Sequence, residues 1–155
     1  MQNNFNIVLF EPEIPGNTGS IGRTCVALNL RLILIKPYGF DIDEKAVRRA
    51  GLDYWKYVNL TEYDSFTDFL QGESPSEEQL FFFENDGSEN YYQADFKKDC
   101  YLIFGAETKG LSKEIYKNYH HRMFYLPMYS EHIRSLNLSN TATTVAYEAL
   151  RKIKF

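Results

Sequence analysis

The sequence predicts an α/β fold, a mostly parallel sheet with helices on both faces, formed by residues 1–155 as a single domain. Two observations point there. Short apolar runs of strand length alternate with segments in which apolar residues recur at helical spacing, the pattern of β–α–β crossovers with parallel neighbours. No internal repeat, low-complexity tract or linker interrupts that alternation, and 155 residues are enough to bury one core.

Phe5–Phe10 (FNIVLF) reads as a buried strand, and Asn17–Asn29 as the helix after it, with Ile21, Cys25 and Leu28 along one side. Leu32–Ile35 is the second strand, ended by Lys36-Pro37. Asp43–Ala50 has the pattern of a short helix, capped by Asp41 or Asp43 and followed by Gly51. Tyr54–Leu60 is expected to be a strand and Ser65–Leu70 a short helix. Gln71–Gln79, with Gly, Pro, Ser and three glutamates, reads as a surface loop. Leu80–Phe83 is a strand, Asn85-Asp86-Gly87 a turn, and Tyr101–Phe104 another strand. Ser112–Tyr119 is a helix capped by Ser112, and Met123–Leu126 a final strand. The last helix lies in the segment from Ile133 on, with Ala142, Val145, Ala146, Ala149 and Leu150 on its apolar face.

Composition narrows the function classes. The net charge is −4, yet eleven acids and two bases fall between Glu62 and Asp99, while bases outnumber acids seven to six before and eight to four after. Basic flanks can meet phosphate while an acidic face points elsewhere, so net charge does not exclude a nucleic-acid partner; plain solvated faces are the alternative. No apolar run approaches the ~20 residues of a membrane span. The N-terminal MQNNFNIVLF lacks the basic-then-apolar layout of a signal peptide, and no membrane contact is expected. Cys25 and Cys100 sit in apolar stretches and read as buried free thiols, from which a cytoplasmic location is expected. His120, His121 and His132 have no metal-site spacing, so no metal is expected.

Ligands of such folds bind where strand ends lead into loops, and three loops stand out there. Glu11–Arg23 carries two prolines and Gly16, Gly19 and Gly22 in a GxxGxxG order that is not the dinucleotide fingerprint. Asn17 can cap the following helix, with Arg23 about two turns on; a cap and a surface charge are the plainer reading of both. Phe104–Leu111 (FGAETKGL) ends a strand in Gly105, which permits close backbone approach, and sets Glu107 at the sheet edge. The third, IRSLNLSNTATTVAY after Tyr125-Leu-Pro-Met128, holds Ser135, Asn137, Ser139 and Asn140. Four such groups exceed what one helix cap needs, which points to a bound ligand, with an over-decorated helix start as the alternative.

Through NIVLFEPEIPGNTGSIGR (Asn6–Arg23), RRAGLDYW (Arg48–Trp55), LIFGAETKGL (Leu102–Leu111), LPM (Leu126–Met128) and SLNLSNTATTVAYEA (Ser135–Ala149), the chain resembles the SPOUT superfamily of RNA methyltransferases, specifically its YibK/TrmL-type tRNA 2′-O-methyltransferases. The matching segments run in order along nearly the whole chain. The resemblance implies an α/β knot fold in which the C-terminal part of the sheet threads a trefoil knot. It implies S-adenosylmethionine as cofactor, S-adenosylhomocysteine as product, a tRNA substrate methylated on the wobble ribose (cytidine or a modified uridine), and a homodimer. By position it assigns Phe83, Gly105, Leu126, Met128, Ser135, Leu136 and Asn137 to the cofactor, and Arg23, Asn17, Glu107 and Asn140 to the acceptor side, with Asn140 capping the last helix. Guanidinium hardly ever deprotonates, so Arg23 is expected to act as an electrostatic clamp rather than a base, with Glu107 orienting Arg23 or Asn17. Arg48, Arg49, Lys56, Tyr147 and Lys152 are the expected RNA contacts, joined by Lys45, Arg151 and Lys154. A same-fold enzyme for another tRNA position or ribosomal RNA, and a non-catalytic RNA-binding module, are the alternatives.

Overall fold

A computed structural model describes residues 3–40 and 52–155, and within them seven strands form one sheet. The strands are β1 (Asn6–Phe10), β2 (Arg31–Ile35), β3 (Asn59–Tyr63), β4 (Leu80–Phe83), β5 (Glu89–Asn90), β6 (Tyr101–Phe104) and β7 (Met123–Tyr125). Their order is β3-β2-β1-β6-β4-β7-β5, and every pairing among them is parallel. Strands covered on both faces need no polar alternation, which is why β1, β4 and β6 are unbroken buried runs.

Among the described residues four helices cover the sheet: α1 (Pro15–Leu28), α2 (Phe66–Glu73), α3 (Lys113–Tyr119) and α4 (Leu138–Lys154). On one face Ile21 and Cys25 of α1 and Ala142, Val145, Ala146 and Ala149 of α4 pack with Ile7, Leu9, Phe83 and Phe104. The small residues of α4 let it lie close, and the Thr24 and Thr143 hydroxyls, 2.7 Å apart, tie α1 to α4. On the other face Phe69 of α2 and Ile115 of α3 meet Val8, Ile33, Phe82 and Ile103. From β1 the chain steps outward to β2 and β3, then crosses to the far side of β6. The order therefore reverses at the β1–β6 boundary, and a crevice opens beyond the strand ends at such a point.

Several boundaries differ from expectation. Tyr54–Leu60 is not a strand: Leu52–Tyr57 forms a 3₁₀ turn and β3 begins at Asn59. The aromatic residues that suggest a strand cover α1 instead, for a Cβ on Gly22 would stand 2.6 Å from Cζ3 of Trp55. α1 starts at Pro15, two residues early, because proline is tolerated in a first helical turn. α2 runs on to Glu73, so the surface loop is shorter than the sequence suggests. β5 is not expected from the sequence at all; two residues give no readable periodicity. The helix expected over Asp43–Ala50, with its flanking caps, lies outside the described residues.

Cys25 and Cys100 are buried and free, and burial pushes the Cys100 thiol up to about 12 and that of Cys25 higher still, so neither is a nucleophile at neutral pH. Among the described residues no helix is long and apolar enough to cross a membrane.

Candidate active site

Beyond β1 the chain turns at Glu11 (φ 49) and enters α1 at Ile14, whose side chain caps nothing. The missing cap comes from far along the sequence. Glu107, just past β6, accepts the backbone N–H of Glu13 (2.8 Å), that of Ile14 (2.8 Å) and the Asn17 amide (3.2 Å). A carboxylate there also meets the positive end of the helix dipole. Glu13 returns the arrangement, accepting the Thr108 hydroxyl (2.6 Å) and the N–H groups of Thr108 (2.9 Å) and Lys109 (3.3 Å). Bonding to Thr108 holds the Glu13 carboxyl below its ordinary value.

The network continues into the third segment. The Asn137 side-chain amide donates to Asn17 Oδ1 at 3.2 Å, while Asn137 Oδ1 accepts the N–H groups of Ser139 (2.9 Å) and Asn140 (3.2 Å). Asn137 is therefore the N-cap of α4. Two expectations are corrected by this. Asn140 does not cap α4, because the helix begins at Leu138 and Asn140 lies inside its first turn. Asn17 does not cap α1; it sits within the first turn, buried, as the link between Glu107 and Asn137.

This relay borders a cleft of about 720 Å³ beyond the ends of β4, β6 and β7, within the range that holds a small organic ligand. Its floor includes Phe83, Phe104, Gly105 and Phe124; Leu126, Met128 and Leu136 offer apolar wall, and Ser135, Asn137 and Thr141 add polar groups. Gly105 is required by the fold, since a Cβ there would stand 2.5 Å from the Gly110 carbonyl carbon. The wall formed by residues 134–136 is tied down where Asn85 donates to the Arg134 carbonyl at 2.9 Å.

Of the expected cofactor residues, Phe83, Gly105, Leu126, Met128, Ser135, Leu136 and Asn137 all line the cleft. Asn17 and Glu107 of the acceptor group line it too; Arg23 and Asn140 do not. Arg23 is exposed, its guanidinium 5.2 Å from the Tyr54 ring centroid, so Glu107 orients Asn17 rather than Arg23. Among the expected RNA contacts, Lys56 and Tyr147 are exposed. Lys152 is engaged within the fold, where its ammonium donates to the carbonyls of Tyr92 (2.5 Å) and Ala94 (2.7 Å) and pins the end of α4. Lys45, Arg48 and Arg49 lie outside the described residues.

Sequence reasoning missed Glu13, Thr108 and Glu84. Glu84 follows β4, lines the cleft, and accepts the Leu111 N–H at 2.7 Å. Burial pushes its carboxyl above the usual range, against the Leu111 N–H and the Tyr116 hydroxyl, which pull it down. An acid directly after so apolar a strand was the available signal.

Residues 4–147 match the model of the SpoU rRNA methylase family. The chain is 46% identical over 153 residues to a Geobacillus stearothermophilus protein provisionally named tRNA (cytidine(34)-2′-O)-methyltransferase, covering 97% of this chain and 96% of that one. A structure solved for the 2-OH methylation of C/U34 on tRNA superimposes with a TM-score of 0.86 at 38% identity, over 96% of this chain and 95% of the other. The SpoU methyltransferase AviRb of Streptomyces viridochromogenes, solved with AdoMet, superimposes with a TM-score of 0.79 at 26% identity, over 98% of this chain and 62% of its own.

Proposed function

From the chain's membership of the SpoU rRNA methylase family, we propose that it is an S-adenosylmethionine-dependent tRNA 2′-O-methyltransferase acting on the wobble ribose. One observation carries the reading: the Glu107–Asn17–Asn137 relay joins the three matching segments at the rim of a cofactor-sized cleft. The names of the relatives supply the chemistry and the nucleotide position.

The cleft suits the cofactor on its own terms. An adenine needs a flat apolar slot, which Leu126, Met128 and Leu136 supply, and backbone donors and acceptors, for which the ends of β4, β6 and β7 border the cleft beside Gly105. When bound, S-adenosylmethionine supplies an electrophilic methyl group on a sulfonium. Ser135, Asn137 and Thr141 hold the polar side of that pocket.

The acceptor hydroxyl must be placed in line, lose its proton and carry developing negative charge. Arg23 serves as the cationic clamp for phosphate or alkoxide, and Asn140 belongs with it to the acceptor side. In this reading the enzyme is a homodimer and a second copy completes the site; the position of Arg23, outside the cleft of its own chain, supports it. The exposed Ile14, Tyr129 and Ile133 offer apolar surface for that pairing. Lys56 and Tyr147, with Arg48 and Arg49, belong to the tRNA-facing surface. One domain spanning the chain, a knotted threading of the segment before α4, and a cytoplasmic setting complete the proposal.

The test is incubation of purified protein with methyl-labelled S-adenosylmethionine and unmodified tRNA, followed by mapping of the labelled nucleotide. Label on the wobble ribose supports the reading; label elsewhere favours a same-fold enzyme of another specificity, and no transfer favours a binding module.

A further inference from the structure

Glu84 is a cleft carboxylate that the relay does not use. Its Oε1 is committed to the Leu111 N–H, and a Cβ on Gly110 (φ 66) would stand 2.7 Å from that same oxygen. The side chain is thus seated against the 105–111 loop, on the cleft wall just beyond Phe83. No Lys or Arg forms an ion pair with it among the described residues. The nearby Tyr116 hydroxyl donates to Asp86 at 2.9 Å and is shared with Glu84, so it offers Glu84 at most part of one donor and no charge. A half-buried carboxylate with spare lone pairs and no cation needs donors, and the cleft is where they would arrive.

Resting on the reading of this cleft as a nucleoside-bearing cofactor site, we infer that Glu84 receives the ribose 2′- and 3′-hydroxyls of the cofactor. Two adjacent hydroxyls are the neutral donor pair that a carboxylate binds with two O–H···O bonds, and such bonds to a charged acceptor are the strong ones. Glu84 lines the same cleft as Gly105 and as Leu126, Met128 and Leu136, the slot read for the adenine, and in a nucleoside the ribose is one glycosidic bond from the base.

The experiment is calorimetric titration of S-adenosylhomocysteine, its 2′-deoxy and 3′-deoxy analogues, and 5′-methylthioadenosine into wild-type, Glu84→Gln and Glu84→Ala proteins. The analogues are expected to bind the wild type at least about tenfold more weakly than S-adenosylhomocysteine, and the penalty to shrink to about twofold or less in Glu84→Ala. 5′-Methylthioadenosine keeps the diol and lacks the amino acid, so its affinity should also fall in Glu84→Ala. Glu84→Gln, of the same shape, controls for misfolding. An equal deoxy penalty in all three proteins overturns the assignment. So does a Glu84 dependence that S-adenosylhomocysteine shows and 5′-methylthioadenosine does not, which would put the ammonium at Glu84. If S-adenosylhomocysteine does not bind the wild type, the cofactor reading itself falls, and this inference with it.

Discussion

Glu13 and Glu107 hold each other's loops: each carboxylate accepts two backbone N–H groups from the segment that carries the other. The exchange fixes the start of α1 against the end of β6, and with it the position of Asn17 on the cleft rim. Removing Glu107 strands two N–H groups at a helix start whose own N-cap residue offers no side-chain bond. Glu107→Ala is expected to destabilise the protein by about 2–3 kcal/mol in urea unfolding, and Glu107→Gln by less, since an amide oxygen still accepts.

Acid should loosen the same junction from the Glu13 side. The Glu13 carboxyl is held below its ordinary value, first by the Thr108 hydroxyl. A depressed carboxylate adds stability that is present above its unfolded value and is lost as pH falls through its folded one. The urea midpoint of the wild type should therefore drop more steeply below about pH 4 than that of Glu13→Gln. Parallel acid limbs for the two proteins would contradict this.

Gly105→Ala tests the floor of the cleft. The new Cβ would meet backbone of Gly110 and Leu111 at 2.5 and 2.6 Å, contacts no side-chain rotation relieves. The 105–111 loop must move, so S-adenosylhomocysteine affinity should fall by about tenfold or more, with a loss of about 1–3 kcal/mol in stability. Calorimetry and urea unfolding report the two effects separately.

Much of this site was legible in the sequence, for physical reasons particular to its parts. Leu80–Phe83 and Tyr101–Phe104 stand out because central parallel strands, buried on both faces, are continuous apolar runs. Ser112 announces its helix because a cap acts locally, through the N–H of Ile115 at 3.2 Å. Asn17 and Glu107 could be named as rim residues and their pairing given as one of two options, but with 90 positions between them no local signal chooses Asn17 over Arg23 as the partner of Glu107. Tyr54 and Trp55 mislead for a related reason: their β preference yields to packing over α1 and Gly22. The capping role expected of Asn140 belongs to Asn137, since several capping residues in succession leave the helix start ambiguous.

Arg23 separates cofactor binding from acceptor chemistry. It stands outside the cleft, so Arg23→Ala should leave S-adenosylhomocysteine affinity within about twofold while methyl transfer at saturating tRNA falls by about 100-fold or more. Full transfer by Arg23→Ala would rule out the clamp. Arg23→Lys should recover only part of the rate, because an ammonium lacks the planar fork of donors.

The central claim is methyl transfer to one hydroxyl, the 2′-OH of the wobble ribose. The most direct measurement compares two tRNA substrates, identical except that one carries 2′-deoxyribose at the wobble nucleotide, with methyl-labelled S-adenosylmethionine as donor. The all-ribose tRNA is predicted to take up label, and the single deoxy substitution to reduce uptake to background. Equal labelling of both substrates would contradict the claim.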